Sequence, residues 1–272
     1  MSRSAQYPGA MSPYEHASLD GRILPLADAL VPVTDEGLLR GDGVFEVTRL
    51  YDGVPFAWAE HLERMTASAA NLRLPFDAAR MDADVRALIE VARPGDCAMR
   101  CVVTRGGRRI VLLEPLKDTS AAIALASITY APTRILDGVK SLSYGANMLA
   151  TRVAQERGAD EALLVTPHGR ILEAPTSSLF YVLEGEGLYT PPLGDHVLDS
   201  ITRRYVIEIT GATEWVTGAD MIGSMTEAFL ASTLREVQAV AAIDGHRMDA
   251  PGPRTALAAE AVARHIRETV SA

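Results

Sequence analysis

Two apolar runs, Met99-Arg100-Cys101-Val102-Val103-Thr104 and Ile110-Val111-Leu112-Leu113, flank the turn Arg105-Gly106-Gly107-Arg108-Arg109. Glycines between two β-prone runs mark a hairpin, so this part of the chain is committed to antiparallel pairing. The neighbouring segments agree. Asp20-Gly21 between Leu19 and Ile23-Leu24 is a second hairpin signal. Gly41 to Tyr51 reads as a strand after its glycines; Phe45, Val47 and Arg49 point one way, and Val44, Glu46, Thr48 and Leu50 the other. Residues 59–72 and 78–91 carry helical spacing, with Leu62, Met65 and Ala69 on one face of the first. A strand over 121–130 completes this half. Strands and helices in antiparallel style predict an α/β fold of the α+β kind.

At 272 residues the chain has room for one large domain or two. Ala131-Pro132-Thr133-Arg134 follows a finished strand with proline and polar residues, which predicts a linker over 131–135. An N-terminal domain over 1–130 then precedes a second over 136–272, with 1–18 as a loose leader. The second half predicts a helix over 145–157 ended by Gly158, a strand over 161–165, and a short strand over 170–172 after the turn Pro167-His168-Gly169. Residues 178–183 and 187–189 pair about Gly185, and a helix runs from Leu198 to about Thr210. A strand over 227–231 ends in Ser232-Thr233, and a terminal helix spans 255–269.

The net charge of −9 argues against nucleic acid as a partner, because phosphate backbones require a basic face. The apolar stretch Ala121–Ile128 is too short to span a bilayer, so no membrane partner is expected. Met1 to Gln6 leads into no apolar segment of the secretory kind. Cys97 and Cys101 lack the further Cys or His of a zinc site, so no metal is expected and both read as reduced core thiols of a cytoplasmic protein.

Lysine occurs only twice, as Lys117 and Lys140; arginine supplies the other basic side chains. Lys140 opens the stretch Lys140-Ser141-Leu142-Ser143-Tyr144 ahead of a helix. An amine can lose its proton when desolvated and attack an aldehyde, whereas a guanidinium stays charged. Ser200-Ile201-Thr202 sits at a helix start, where free amides and the helix dipole favour an anion. Ser232-Thr233 ends a strand, and Arg64 adds a permanent positive charge. Each feature also has a plainer reading, as an N-cap, a strand end or a solvated arginine. Glu173 leaves a strand into a loop of small residues, where a carboxylate can meet a buried cation. An amine nucleophile, a phosphate clamp and an isolated acid are together what pyridoxal 5′-phosphate requires.

The chain resembles the fold-type IV pyridoxal-phosphate enzymes, or class IV aminotransferases. The likeness runs through Gly41-Asp42-Gly43-Val44-Phe45-Glu46, Glu60-His61-Leu62-Glu63-Arg64, Lys140-Ser141-Leu142, Gly158-Ala159-Asp160-Glu161-Ala162, Leu172-Glu173-Ala174, Tyr189-Thr190-Pro191-Pro192 and Ile201-Thr202-Arg203. The resemblance implies two domains with the cofactor between them, usually in a homodimer whose partner lends a loop to the site. It implies Lys140 as the Schiff-base lysine and proton shuttle, and Glu173 as the acid at the pyridine nitrogen. Arg64, Ile201, Thr202 and Thr233 match the phosphate contacts, and Leu198 falls near the residue that packs on the ring. Phe45, Val47, Arg49 and Arg100 fall where branched-chain aminotransferases place substrate-pocket residues.

The chain departs from the family pattern at Ala98, Ser200, Leu234 and Arg235, and in the loop Ala174–Leu179. Arg105, Arg108 and Arg109 lie near where D-amino acid enzymes place a carboxylate-binding arginine, and Lys140 to Tyr144 with Asn147 also resembles some deoxychorismate lyases. The leading expectation is a cytoplasmic homodimeric transferase that moves an amino group from a branched-chain L-amino acid to a 2-oxo acid. A D-amino acid or (R)-amine transaminase, a 4-amino-4-deoxychorismate lyase that releases pyruvate, and a non-catalytic member are the alternatives.

Overall fold

Asp20 and Gly21, both at positive φ, turn the chain between β1 (His16–Leu19) and β2 (Arg22–Pro25) in a computed structural model that describes residues 12–183 and 186–271. Helix α1 (Glu36–Arg40), capped by the Asp35 side chain, leads into β3 (Gly43–Tyr51) and the short β4 (Val54–Pro55). Two helices follow, α2 (Trp58–Asn71) and α3 (Ala78–Ala92), and then the hairpin β5 (Cys97–Thr104) and β6 (Arg109–Glu114). These strands form one antiparallel sheet in the order β2-β1-β6-β5-β3-β4. Alternation gives it an apolar face: Val44 and Leu50 of β3 and Cys97, Met99, Cys101 and Val103 of β5 pack under Met65, Met81 and Leu88 of the helices. Both thiols are free and buried, as expected of core cysteines.

The second sheet follows the order β11-β10-β9-β12-β13-β7-β8, with β14 paired to β13. Its strands are β7 (Ala122–Thr129), β8 (Glu161–Val165), β9 (Ser178–Leu183), β10 (Glu186–Thr190), β11 (Thr213–Glu214), β12 (Met225–Ser232), β13 (Glu236–Ile243) and β14 (His246–Arg247). Helices α4 (Gly145–Glu156), α5 (Ile201–Thr210) and α6 (Pro253–Val270) cover it. Among the described residues, no helix is long and apolar enough to cross a membrane.

Three expectations are corrected. The leader is partly structured: Pro13–Glu15 form a turn of 3-10 helix and His16–Leu19 a strand, in which Ala17 and Ser18 are buried against β6. Its pairing partner lies far along the chain, so local sequence carries no sign of it. Residues 1–11, the rest of that leader, and Gly185, the expected centre of a turn, lie outside the described residues. The strand assigned to the N-terminal half, β7, belongs to the second sheet, where it pairs in parallel with β13 and β8. By sheet membership the crossing between halves therefore falls between Glu114 and Ala122, ahead of the expected linker at 131–135. Residues 170–172 make only isolated bridges, Val165 with Ile171 and Arg170 with Gly218, so no regular strand forms there.

Candidate active site

Strand β3 lies second from the edge of its sheet, but β4 covers only its C-terminal end. Its open N-terminal part takes the Lys140 segment instead. The Phe45 amide donates to the Lys140 carbonyl at 3.0 Å, and the Leu142 amide to the Gly43 carbonyl at 2.9 Å. The Lys140 amide in turn donates to Ser68 Oγ on α2 at 3.1 Å. The lysine backbone is thus held by a strand on one side and a helix on the other. Its side chain runs over β3, where Nζ lies 4.6 Å from the centroid of the Phe45 ring. Burial is the largest influence on this amine and pushes it down to about 8; Glu46 and Glu173 draw it back up, and Arg64 and Arg100 push it further down.

Glu46, next to Phe45, points to the opposite face of β3 and is fully buried. It accepts from Arg64 Nε at 2.7 Å and from the Arg64 terminal nitrogen Nη2 at 2.7 Å, and it contacts His61 Nδ1 at 2.8 Å. Burial works to raise this carboxyl, but the hydrogen bonds and charges of Arg64 and His61 outweigh it and hold the group at about 2. An ionised Glu46 makes His61 Nδ1 a donor, leaving the His61 Nε2 lone pair buried without a partner among the described residues. The remaining terminal nitrogen of Arg64 donates to the Asp199 carbonyl at 3.1 Å, two residues ahead of α5. There Ser200 caps the helix by accepting from the Arg203 amide at 3.3 Å, and the first amides, of Ile201 and Thr202, have no intrahelical acceptor. Thr202, Ser232 and Thr233 line one small cavity.

Glu173 leaves the bridge of residues 170–172 and accepts from the Leu198 amide at 2.9 Å. Burial raises its carboxyl to about 7, against the pull of that amide and of Lys140, Arg203 and Arg64. The loop after it is tied to the start of α4: the Pro175 carbonyl accepts from the Tyr144 hydroxyl and from Asn147 Nδ2, the latter at 3.1 Å. Tyr144 also meets Phe45 edge-on, with ring centroids 5.4 Å apart.

The structure therefore gathers Lys140, Phe45, Glu173, Leu198, Arg64 and the start of α5 into one region. The other expected residues are distributed differently. Arg100, paired across the strands with Val47, has its guanidinium 5.8 Å from the Phe45 ring and forks onto Glu114 at 3.0 and 2.9 Å. Arg49, farther along β3, is held by Glu236 at 2.8 Å and by the Leu234 carbonyl at 3.4 Å. Arg105, Arg108 and Arg109 each face an aspartate, respectively Asp42, Asp20 and Asp84. Sequence reading assigned no role to Glu46, His61 or Ser68. A signal was present: an acid on the inward face of an apolar strand requires a buried cation, and His61, Arg64 and Ser68 recur at helical spacing.

The donor set fits pyridoxal 5′-phosphate. An amine held near neutrality, a half-buried acid and a cationic cup at a helix N-terminus match its aldehyde, ring nitrogen and phosphate in kind. Among the described residues, no His, Cys, Asp and Glu cluster suits a metal ion.

Comparison with known proteins agrees with this chemistry. The family described as amino-transferase class IV matches residues 43–243. A protein of Methanocaldococcus jannaschii, provisionally named a branched-chain-amino-acid aminotransferase, is 34% identical over 254 residues, 84% of this chain and 87% of its own. The D-alanine aminotransferase of Bacillus licheniformis is 30% identical over 263 residues, 87% of this chain and 92% of its own. The solved PLP-bound form of a hypothetical aminotransferase from Mycobacterium tuberculosis superposes with a TM-score of 0.82 at 25% identity, over 93% of this chain and 99% of that one.

Proposed function

This chain belongs to the class IV aminotransferases, and from that premise we propose that it moves the amino group of a branched-chain L-amino acid to 2-oxoglutarate with Lys140 as the catalytic amine. The observation that carries the reading is the half-buried Lys140 amine on the Phe45 ring, within the fields of Glu46 and Glu173. When bound, pyridoxal 5′-phosphate supplies an aldehyde for the amine and a ring that takes up the electron pair released at the substrate α-carbon.

The chain's own groups do the rest. Lys140 Nζ, held at about 8, is in part unprotonated near neutral pH and can take and return the α-proton. Glu173, oriented by the Leu198 amide, keeps a proton on the ring nitrogen. Arg64, the first amides of α5, and the Thr202 and Thr233 hydroxyls bind the phosphate, and Leu198 packs on the ring. Phe45 and Val47 form the apolar wall for the substrate side chain. Arg100, half exposed on Glu114, is the cation a second carboxylate can draw away, because such exposed pairs are weak. Arg49 is committed to Glu236 and serves the turn after Thr233, not the substrate. Of the arginines after β5, Arg109 is committed to the buried Asp84 and is the one least free to take a D-amino acid's carboxylate. The reading includes a cytoplasmic homodimer, supported by Leu30, Val33, Leu38 and Leu39, which leave apolar surface for a second copy to cover.

The test is the visible absorption of the purified protein, recorded before and after L-leucine and, separately, D-alanine. A cofactor band that bleaches with L-leucine alone is the expected result. Bleaching by D-alanine alone overturns the substrate assignment, and a protein that takes up no cofactor overturns the whole reading.

A further inference from the structure

Glu46 is a fully buried acid that the proposed chemistry leaves without a task. A fully buried carboxylate on the helix-covered face of a sheet is costly unless it is paired, and pairing alone does not favour it over an apolar residue. What distinguishes this one is where its partner points. Arginine carries five N–H donors in a fixed plane. Glu46 takes two of them side-on and the Asp199 carbonyl takes a third, which leaves two. One of the two sits on the nitrogen that holds the Asp199 carbonyl, two residues ahead of α5, whose first amides, of Ile201 and Thr202, are open. His61 fixes the carboxylate from a third direction, so the carboxylate cannot turn with the arginine without breaking its contact to the imidazole. The adjacent residue, Phe45, carries the ring under Lys140 Nζ. Two consecutive residues of one strand therefore address the amine and the anion cup from opposite faces.

We propose that Glu46 is the positioning residue of the phosphate cup: it holds Arg64 with a free N–H turned to the start of α5, and so makes the site select a phosphorylated cofactor over its dephosphorylated form. This rests on the reading of Lys140 and α5 as a pyridoxal-phosphate site. Glu46 touches neither cofactor nor substrate; it acts through Arg64. A glutamine there keeps the volume but presents an amide N–H to an arginine N–H, so the fork loses one bond and is free to turn.

The test is direct binding of pyridoxal 5′-phosphate and of pyridoxal to the full-length protein stripped of cofactor, for the wild type, Glu46→Gln, Glu46→Ala and Arg64→Ala. The expected result for Glu46→Gln is a loss of about tenfold to a hundredfold in affinity for the phosphorylated form, the range for a hydrogen bond to a charged group, with pyridoxal affinity unchanged within about twofold. In an Arg64→Ala background, Glu46→Gln is expected to add nothing further, because the acid acts through the arginine. A Glu46→Gln protein that binds both ligands as the wild type does, or loses both equally, overturns the proposal. Should Glu46→Ala fail to fold, the isosteric Glu46→Gln alone decides. A wild-type protein that binds neither ligand overturns the underlying cofactor reading instead, and the two failures are thereby told apart.

Discussion

Lys140 Nζ lies 4.6 Å from the centroid of the Phe45 ring. The face of an aromatic ring favours an ammonium over a neutral amine, so Phe45 opposes the burial that brings Lys140 down to about 8. Phe45→Leu is expected to lower the amine further. The rate of cofactor uptake by stripped protein, followed against pH, reads this directly. It is expected to rise through about pH 8 in the wild type and through a lower pH in the variant. Lys140→Ala and Lys140→Arg are both expected to lose about 10⁴-fold in turnover, the arginine because it keeps its proton. Near-normal activity in either sinks the assignment.

Glu173 is expected to trade stability for function. Its carboxyl stands at about 7 when folded against an ordinary 4.5, so the folded state binds the proton more tightly between those values. Stability therefore falls as pH rises from about 4.5 to about 7, and the ionised group costs the cofactor-free protein up to about 3 kcal/mol above that window. Glu173→Gln is expected to raise the Tm of stripped protein at pH 8 while lowering kcat by about 10²-fold or more. A variant that is less stable at pH 8 contradicts the burial argument.

The opposite sign applies to Glu46. Its carboxyl is held at about 2 against 4.5, so its contribution of about 3 kcal/mol is complete above pH 4.5 and is lost as pH falls toward 2. Urea midpoints from pH 7 down to pH 3 are expected to fall more steeply for the wild type than for Glu46→Gln. Parallel curves contradict the pairing with Arg64 and His61.

Arg100 separates the substrate readings. Arg100→Ala is expected to raise the KM for 2-oxoglutarate about tenfold and to leave that for pyruvate unchanged. Pyruvate released from aminodeoxychorismate with no amino acceptor present selects the lyase alternative instead.

Glu227 offers a control outside the residues assigned to the site. It caps α6, accepting from the Thr255 amide at 2.9 Å, the Arg254 amide at 3.2 Å and Thr255 Oγ1 at 3.1 Å. Glu227→Gln is expected to cost about 1–3 kcal/mol in denaturant unfolding, with the spectral response to amino acids intact. Gly252→Ala crowds the same carboxylate and is expected to act in the same direction.

What the sequence made legible was local. Alternation along Val44–Leu50 and the Gly106-Gly107 turn marked the first sheet, and the helical spacing around Met65 marked α2. The pairing of β7 with β13 and β8, and of Ala17 with Leu112, depends on residues far apart in the chain and leaves no periodic trace. At the site, the scarcity of lysine and the family motifs singled out Lys140. The pairing of Arg49 with Glu236, and of Arg100 with Glu114, was not legible, because an arginine on a strand looks the same whether its charge is free or taken.

The pairing of Gly43 and Phe45 of β3 with the Lys140 segment has a mechanical consequence. The amine and Arg64 ride with the first sheet, while Glu173, Leu198, Thr202 and Thr233 ride with the second. A molecule that grips both sets is a bolt between two plates. Its occupancy shifts the docking equilibrium of the halves by mass action, and hydrogen exchange at the interface between the sheets becomes a gauge of how full the site is.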